Sequence, residues 1–236
     1  MIAARPVPES SMPYRVVDDD VGIRFRRWET LALALALTAS WHAIPSWLLG
    51  SYLPARSWYD RWGIEGYSAI RDCIASVMPL LLCFSTPVRS GLVIGQWKGC
   101  SIRVLVICLV PIILTAIVYP LTSAPFKGQP HSMWTISPLA QDALFTGYLY
   151  GLISERFSGK IRIGLSVPIA VFITAAFFSL WHVPNFQGIG AAYVAFQLIY
   201  VFIGGAWTLM ARVMTGSMIP GVLVHMAVNF IAWKGW

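Results

Sequence analysis

Long apolar runs broken by short polar stretches dominate the chain, and a helix that crosses a bilayer needs roughly 20 mostly apolar residues. Seven runs fit that pattern: 29–49, 67–86, 103–119, 134–155, 164–181, 191–211 and 218–235. The first reads LALALALTA followed by SWHAIPSWLL, and the second is weakened at its start by Arg71 and Asp72. Connections rich in Pro, Gly and charge separate them: SYLPARSWYDRWGIEG, TPVRSGLVIGQWKG and LTSAPFKGQPHS. A short linker, RFSGKIRIG, joins the fourth and fifth runs, and no internal repeat is visible. The pattern predicts an all-α polytopic membrane protein of about seven transmembrane helices. It divides into a polar tail at 1–28, N-terminal helices and loops at 29–133, and a C-terminal core at 134–236.

Composition sharpens this. The chain is 57% hydrophobic and only 11% charged, with a mean hydropathy of +0.67. Soluble domains carry about 25% charged residues, so this chain lacks the charge to cover a water-facing globule. The lipid bilayer is the expected surrounding. The net charge of +7 does not signal nucleic acid, because the basic residues are scattered between apolar runs. They are better placed to set topology. Twelve Lys and Arg fall on the side of the N-terminal tail and four on the other, with Arg71 inside a run. The positive-inside rule then puts the N-terminus in the cytoplasm, in the plasma membrane of a prokaryote. Residues 1–28 are too polar for the core of a signal peptide. Cys73, Cys83, Cys100 and Cys108 form no CxxC pair, and neither a disulfide nor a metal cluster is expected of them.

The candidate chemistry lies in the second half. Ionisable groups at membrane depth are expensive and point to function. The fourth run carries Gln141 and Asp142, the fifth ends in FFSLWHVPN with His182, and the seventh carries His225 and Asn229. Spacing puts His225 and Asn229 on one helix face, and likewise Phe178 with His182 and Asp142 with Thr146. Gln141 lies about 100° round from Asp142. With alternating helix directions, all these groups can meet in the outer half of the membrane. An amide or carboxylate, two imidazoles and an Asn meeting there can hold and activate a water and donate to an oxyanion. Any one such residue alone is more often glue between helices than a catalyst. His42 and His131, with no evident companion, are read that way.

At these residues the sequence resembles the CPBP (Abi) family of intramembrane endopeptidases, which includes CAAX-processing proteases, bacteriocin-processing or immunity proteins and protein-sorting proteases. The family pattern is Glu-Glu-x-x-x-Arg, then Phe-x-x-x-His, then His-x-x-x-Asn or Asp. Phe178–His182 and His225–Asn229 match the second and third parts, the latter preceded by Thr215-Gly216-Ser217 as the family often has. Gln141, Asp142 and Thr146 align with the first. The resemblance covers about 134–235. It implies a catalytic core in the last four helices that cleaves a membrane-embedded or membrane-anchored peptide or protein substrate, in protein sorting, without a cofactor. Residue 141 and His182 would activate water, and His225 and Asn229 would hold the oxyanion.

The departures all fall in the first part of the pattern. Gln141 stands at the position of the first Glu and cannot take a proton. Asp142 is one methylene shorter than the second Glu, and Thr146 removes the cation. Three explanations stand: an inactivated form in which Gln replaces a native glutamate, a natural pseudoenzyme, or a base moved to Asp142. The isosteric Glu-to-Gln difference and the intact His and Asn set favour the first, in which the chain as written binds without cleaving. Against the peptidase stands a non-catalytic immunity or scaffold protein that grips a transmembrane segment. A zinc hydrolase built on His182 and His225 fits less well, because no HExxH is present and further ligands are wanting.

Overall fold

The computed structural model describes residues 26–52, 55–92, 102–118, 120, 130–163, 165–184 and 191–234. The polar tail, apart from its last residues, and the long connections around 93–101 and 121–129 lie outside them. Each predicted apolar run contains helix, but among the described residues only two helices are long and apolar enough to cross a membrane by length and composition. In order the elements are α1 (Arg27–Tyr52), α2 (Ala55–Ser85), a single-turn α3 (Pro87–Ser90), α4 (Ile102–Val118), a 3₁₀ turn (His131–Trp134), α5 (Ile136–Asp142) and α6 (Tyr150–Ser154). They are followed by β1 (Lys160–Ile163), β2 (Leu165–Pro168), α7 (Ile169–Leu180), α8 (Ala191–Thr215) and α9 (Ile219–Lys234). A π-helical segment, Ala143–Leu149, runs between α5 and α6 and makes the three one continuous rod.

Two sequence expectations need correction. The stretch read as a linker between the fourth and fifth runs is an antiparallel β-hairpin, with Lys160 opposite Pro168 and Ile163 opposite Leu165. The all-α description therefore holds for the bundle but not for this turn, and α7 starts at Ile169 instead of 164. The second element also reaches back to Ala55, with a break at Gly63, whose φ of 65° and ψ of −178° suit glycine alone.

Gly63–Ser85 and Ala191–Thr215 are long and apolar enough to cross a membrane by length and composition, while α4, α7 and α9 supply shorter apolar helices. The outward faces of α2, α4 and α8 are apolar: Leu81 and Phe84, Ile113 and Ile117, Ile199 and Ile203 are all exposed. So wide an apolar surface is foreign to a monomer in water and suits hydrocarbon.

The α5–π–α6 rod is the centre of the packing. Leu144, Phe145, Leu149 and Ile153 are fully buried, and Phe178, Ala170, Ala34 and Trp41 close round them. Trp41 brings α1 to this core. It stacks on Trp181 at 4.7 Å between ring centroids, meets Phe145 edge-on at 6.0 Å, and donates its indole N–H to the Ala75 carbonyl at 2.6 Å. Pro138 sits in the first turn of α5, where its missing N–H leaves no helical bond unmade.

Candidate active site

Three helices bring their polar side chains together beside the rod. Asp142 closes α5 and is almost wholly buried, at 2% exposure. Its Oδ1 accepts the Thr146 hydroxyl at 2.5 Å, and its Oδ2 lies 3.0 Å from Nδ1 of His225 on α9. A carboxylate can only accept, so Nδ1 of His225 carries the proton and the lone pair of the neutral ring is on Nε2.

His182 follows the end of α7 and is buried. Its Nδ1 lies 3.0 Å from the Phe178 carbonyl one turn earlier. By the same reasoning that nitrogen donates, and the ring's lone pair is on Nε2. The Phe178 ring touches both imidazoles edge-on, 5.5 Å from His182 and 5.7 Å from His225. The rings therefore lie no further apart than those two contacts combined.

Gln141 and Asn229 are held differently. Gln141 is buried and donates Nε2–H to Ser137 Oγ at 3.0 Å. Asn229, one turn beyond His225, donates Nδ2–H to the Met133 carbonyl at 3.0 Å. Met133 in turn lies against Arg71, whose guanidinium is 3.7 Å from its sulfur and 2.9 Å from Asp72. The 3₁₀ turn thus roofs the site and ties it to α2.

Of the residues singled out from the sequence, Asp142, Thr146, Phe178, His182 and His225 form one connected group. Asn229 reaches the roof, and Gln141 bonds within its own helix. His131 is not companionless as expected: its ring and backbone N–H both engage Glu65, at 3.1 Å and 2.9 Å. The side chain of His42 lies outside the described residues. Sequence reasoning missed Ser137, Met133, Trp41 and Arg212. Only Arg212, a cation next to an apolar run, carried a signal. Among the described residues no three His, Cys, Asp or Glu side chains gather as a metal site. What the group can do is acid–base chemistry: a carboxylate orients one imidazole, a second touches the same Phe178 ring, and the amides of Gln141 and Asn229 lie next to Asp142 and one turn from His225 in sequence.

Fold and site together define a helical bundle with an apolar exterior and a buried carboxylate–imidazole pair. Residues 129–231 match the family model described as Type II CAAX prenyl endopeptidase, Rce1-like, which bears out the CPBP resemblance over that segment. At this general level the family is one of membrane-embedded proteases. No curated protein and no solved structure matches the chain.

Proposed function

We propose that the protein is an intramembrane peptide hydrolase in which Asp142, not residue 141, supplies the carboxylate. The observation that carries this reading is the 3.0 Å contact between Asp142 Oδ2 and His225 Nδ1, inside the segment that matches the endopeptidase family. Asp142 keeps the His225 proton on Nδ1 and stabilises the imidazolium, so that Nε2 takes a proton as water adds to the substrate carbonyl. The His225 imidazolium then hands that proton to the departing amine as the C–N bond breaks, and His182, with its lone pair on Nε2, accepts a hydrogen bond from the attacking water and orients it. Gln141 and Asn229 each have a second amide N–H that their internal bonds do not use, suited to the developing oxyanion. The substrate is a membrane-embedded or anchored peptide. The lysine and arginine distribution favours a cytoplasmic N-terminus and cleavage in the outer half of the membrane, taken here as a prokaryotic plasma membrane, which suits removal of a C-terminal sorting or anchor helix.

A second reading rests on Gln141, which cannot ionise: a pseudoprotease that binds a transmembrane segment without cutting it. Single-turnover cleavage of membrane peptides separates the two. The first reading expects the chain as written to cleave and Asp142→Asn to lose about 10²–10⁴-fold, the usual worth of general acid–base catalysis. Cleavage that appears only after Gln141→Glu would overturn it in favour of an inactive binder.

A further inference from the structure

Arg212 lies on the last turn of α8 and is 6% exposed. Among the described residues no carboxylate pairs with it. Its guanidinium instead donates to the backbone carbonyls of Thr146, Gly147 and Arg89 and lies 4.7 Å from the centre of the Tyr150 ring. A buried charge is costly unless it is fully engaged, so its targets need a reason.

The π segment provides one. A turn closed i to i+5 takes in one residue more than an α turn, and where α geometry resumes one carbonyl is passed over. The Tyr150 N–H bonds to the carbonyls of Phe145 and Gly147, on either side of Thr146. The Thr146 carbonyl is the one skipped, and it receives Arg212. The same turn has no room for a side chain on its inner face. A Cβ on Gly147 would stand 2.7 Å from Cys83 Sγ and 3.1 Å from Met218 Sδ. One residue more or fewer in the rod rotates everything before it by about 100° relative to everything after. Asp142, immediately before the π segment, aims at His225 only in the observed phase.

We infer that Arg212 is a positioning residue: by filling the carbonyl that the π turn skips, it holds the rod in the phase that puts Asp142 against His225. Its fork of donors serves two elements at once, α3 through Arg89 and the rod through Thr146 and Gly147, which a lysine ammonium cannot match. The inference deepens the hydrolase reading and rests on it only for its catalytic consequence.

The test is NMR of the full chain in micelles, labelled with ¹⁵N-histidine. The His225 Nδ1 proton, hydrogen-bonded to a carboxylate, is expected as a low-field signal that Asp142→Asn abolishes. Arg212→Met is expected to abolish it as well, and Arg212→Lys to reduce it by at least half, while the His182 ring signals stay in place. Absence of the signal from the unaltered chain, or its full retention in folded Arg212→Met, overturns the inference. If Arg212→Met does not fold, full retention in Arg212→Lys does the same. Kinetics separate the two readings: Arg212→Lys should lower kcat about tenfold or more at constant KM. If the unaltered chain cleaves nothing, the hydrolase reading falls and the NMR result still decides the role of Arg212. A lost signal with unchanged kcat removes Asp142 from the mechanism and leaves Arg212 as its positioner.

Discussion

Thr146 spends its hydroxyl on Asp142, one turn back on the same rod, at 2.5 Å. In the resemblance drawn from the sequence both stand as departures from the motif, one shorter by a methylene and one without the cation, and in the structure they bond to each other. The Thr146 bond occupies the carboxylate oxygen that His225 does not use, and so fixes the torsion of the Asp142 side chain.

Thr146→Val keeps the shape and removes the donor. A hydrogen bond to a charged group contributes about 1.5–3 kcal/mol. The expected result is a roughly tenfold or larger fall in kcat with little change in KM, and Thr146→Ser should restore most of it. Steady-state cleavage of one peptide by the three chains checks this.

Position 141 should matter less than position 142. Gln141 is bonded to Ser137 and not to either imidazole. Ser137→Ala frees the amide, and its cost to kcat is expected to stay within about tenfold, while Asp142→Asn costs about 10²-fold or more. The reverse order in single-turnover rates would return the central role to residue 141.

Neighbouring glycines on α8 offer a paired test of packing. A Cβ on Gly205 would sit 2.7 Å from Cδ1 of Phe178, whereas a Cβ on Gly204 meets nothing within 4 Å. Gly205→Ala should push on the ring that both imidazoles contact and cut kcat by more than its effect on thermal midpoint explains. Gly204→Ala should leave activity alone and raise helix stability by about 0.5–1 kcal/mol. Equal effects from the two would sink this reading of Phe178.

Trp41 ties α1 to the site wall. Removing it as Trp41→Ala is expected to cost about 3–5 kcal/mol, read as a large drop in thermal midpoint in detergent. Trp41→Phe should lie between, because it keeps a ring against Trp181 but leaves the Ala75 carbonyl without its donor.

The helical bundle was legible because burial in lipid or protein demands long apolar runs, and composition does not hide them. The pair Asp142 and Thr146 was legible because helical periodicity alone puts residues four apart on one face. The π segment was not: Gly147 in ALFTGYL marks a weak helix position but no extra residue, and the contacts made there by Arg212 with the Thr146 carbonyl and by the Cys83 thiol with the Ala143 carbonyl come from far away in sequence. Nor were the bonds from Gln141 to Ser137 and from Asn229 to Met133, which depend on where a tight turn folds back. The hairpin did leave a trace: KIRIGLSVP alternates around a glycine, a strand-turn-strand signature overridden by the apolar reading of the residues after it.

The break at Gly63 has a consequence for the reach of the site. From there α2 continues for 23 residues to Ser85, with Pro79 inside it, a path of about 34 Å at 1.5 Å per residue, close to the thickness of a bilayer's hydrocarbon. If the bend sits at the water boundary, Arg71 lies about 12 Å below it. Arg71 grips Met133, and Met133 grips Asn229. Under the hydrolase reading proposed above, the foot of one helix acts as a gauge for the rest, setting how far down a chain must be drawn before its peptide bond meets the imidazoles. A cleavage sequence lying at the surface of the membrane would be out of register with them, whatever its residues.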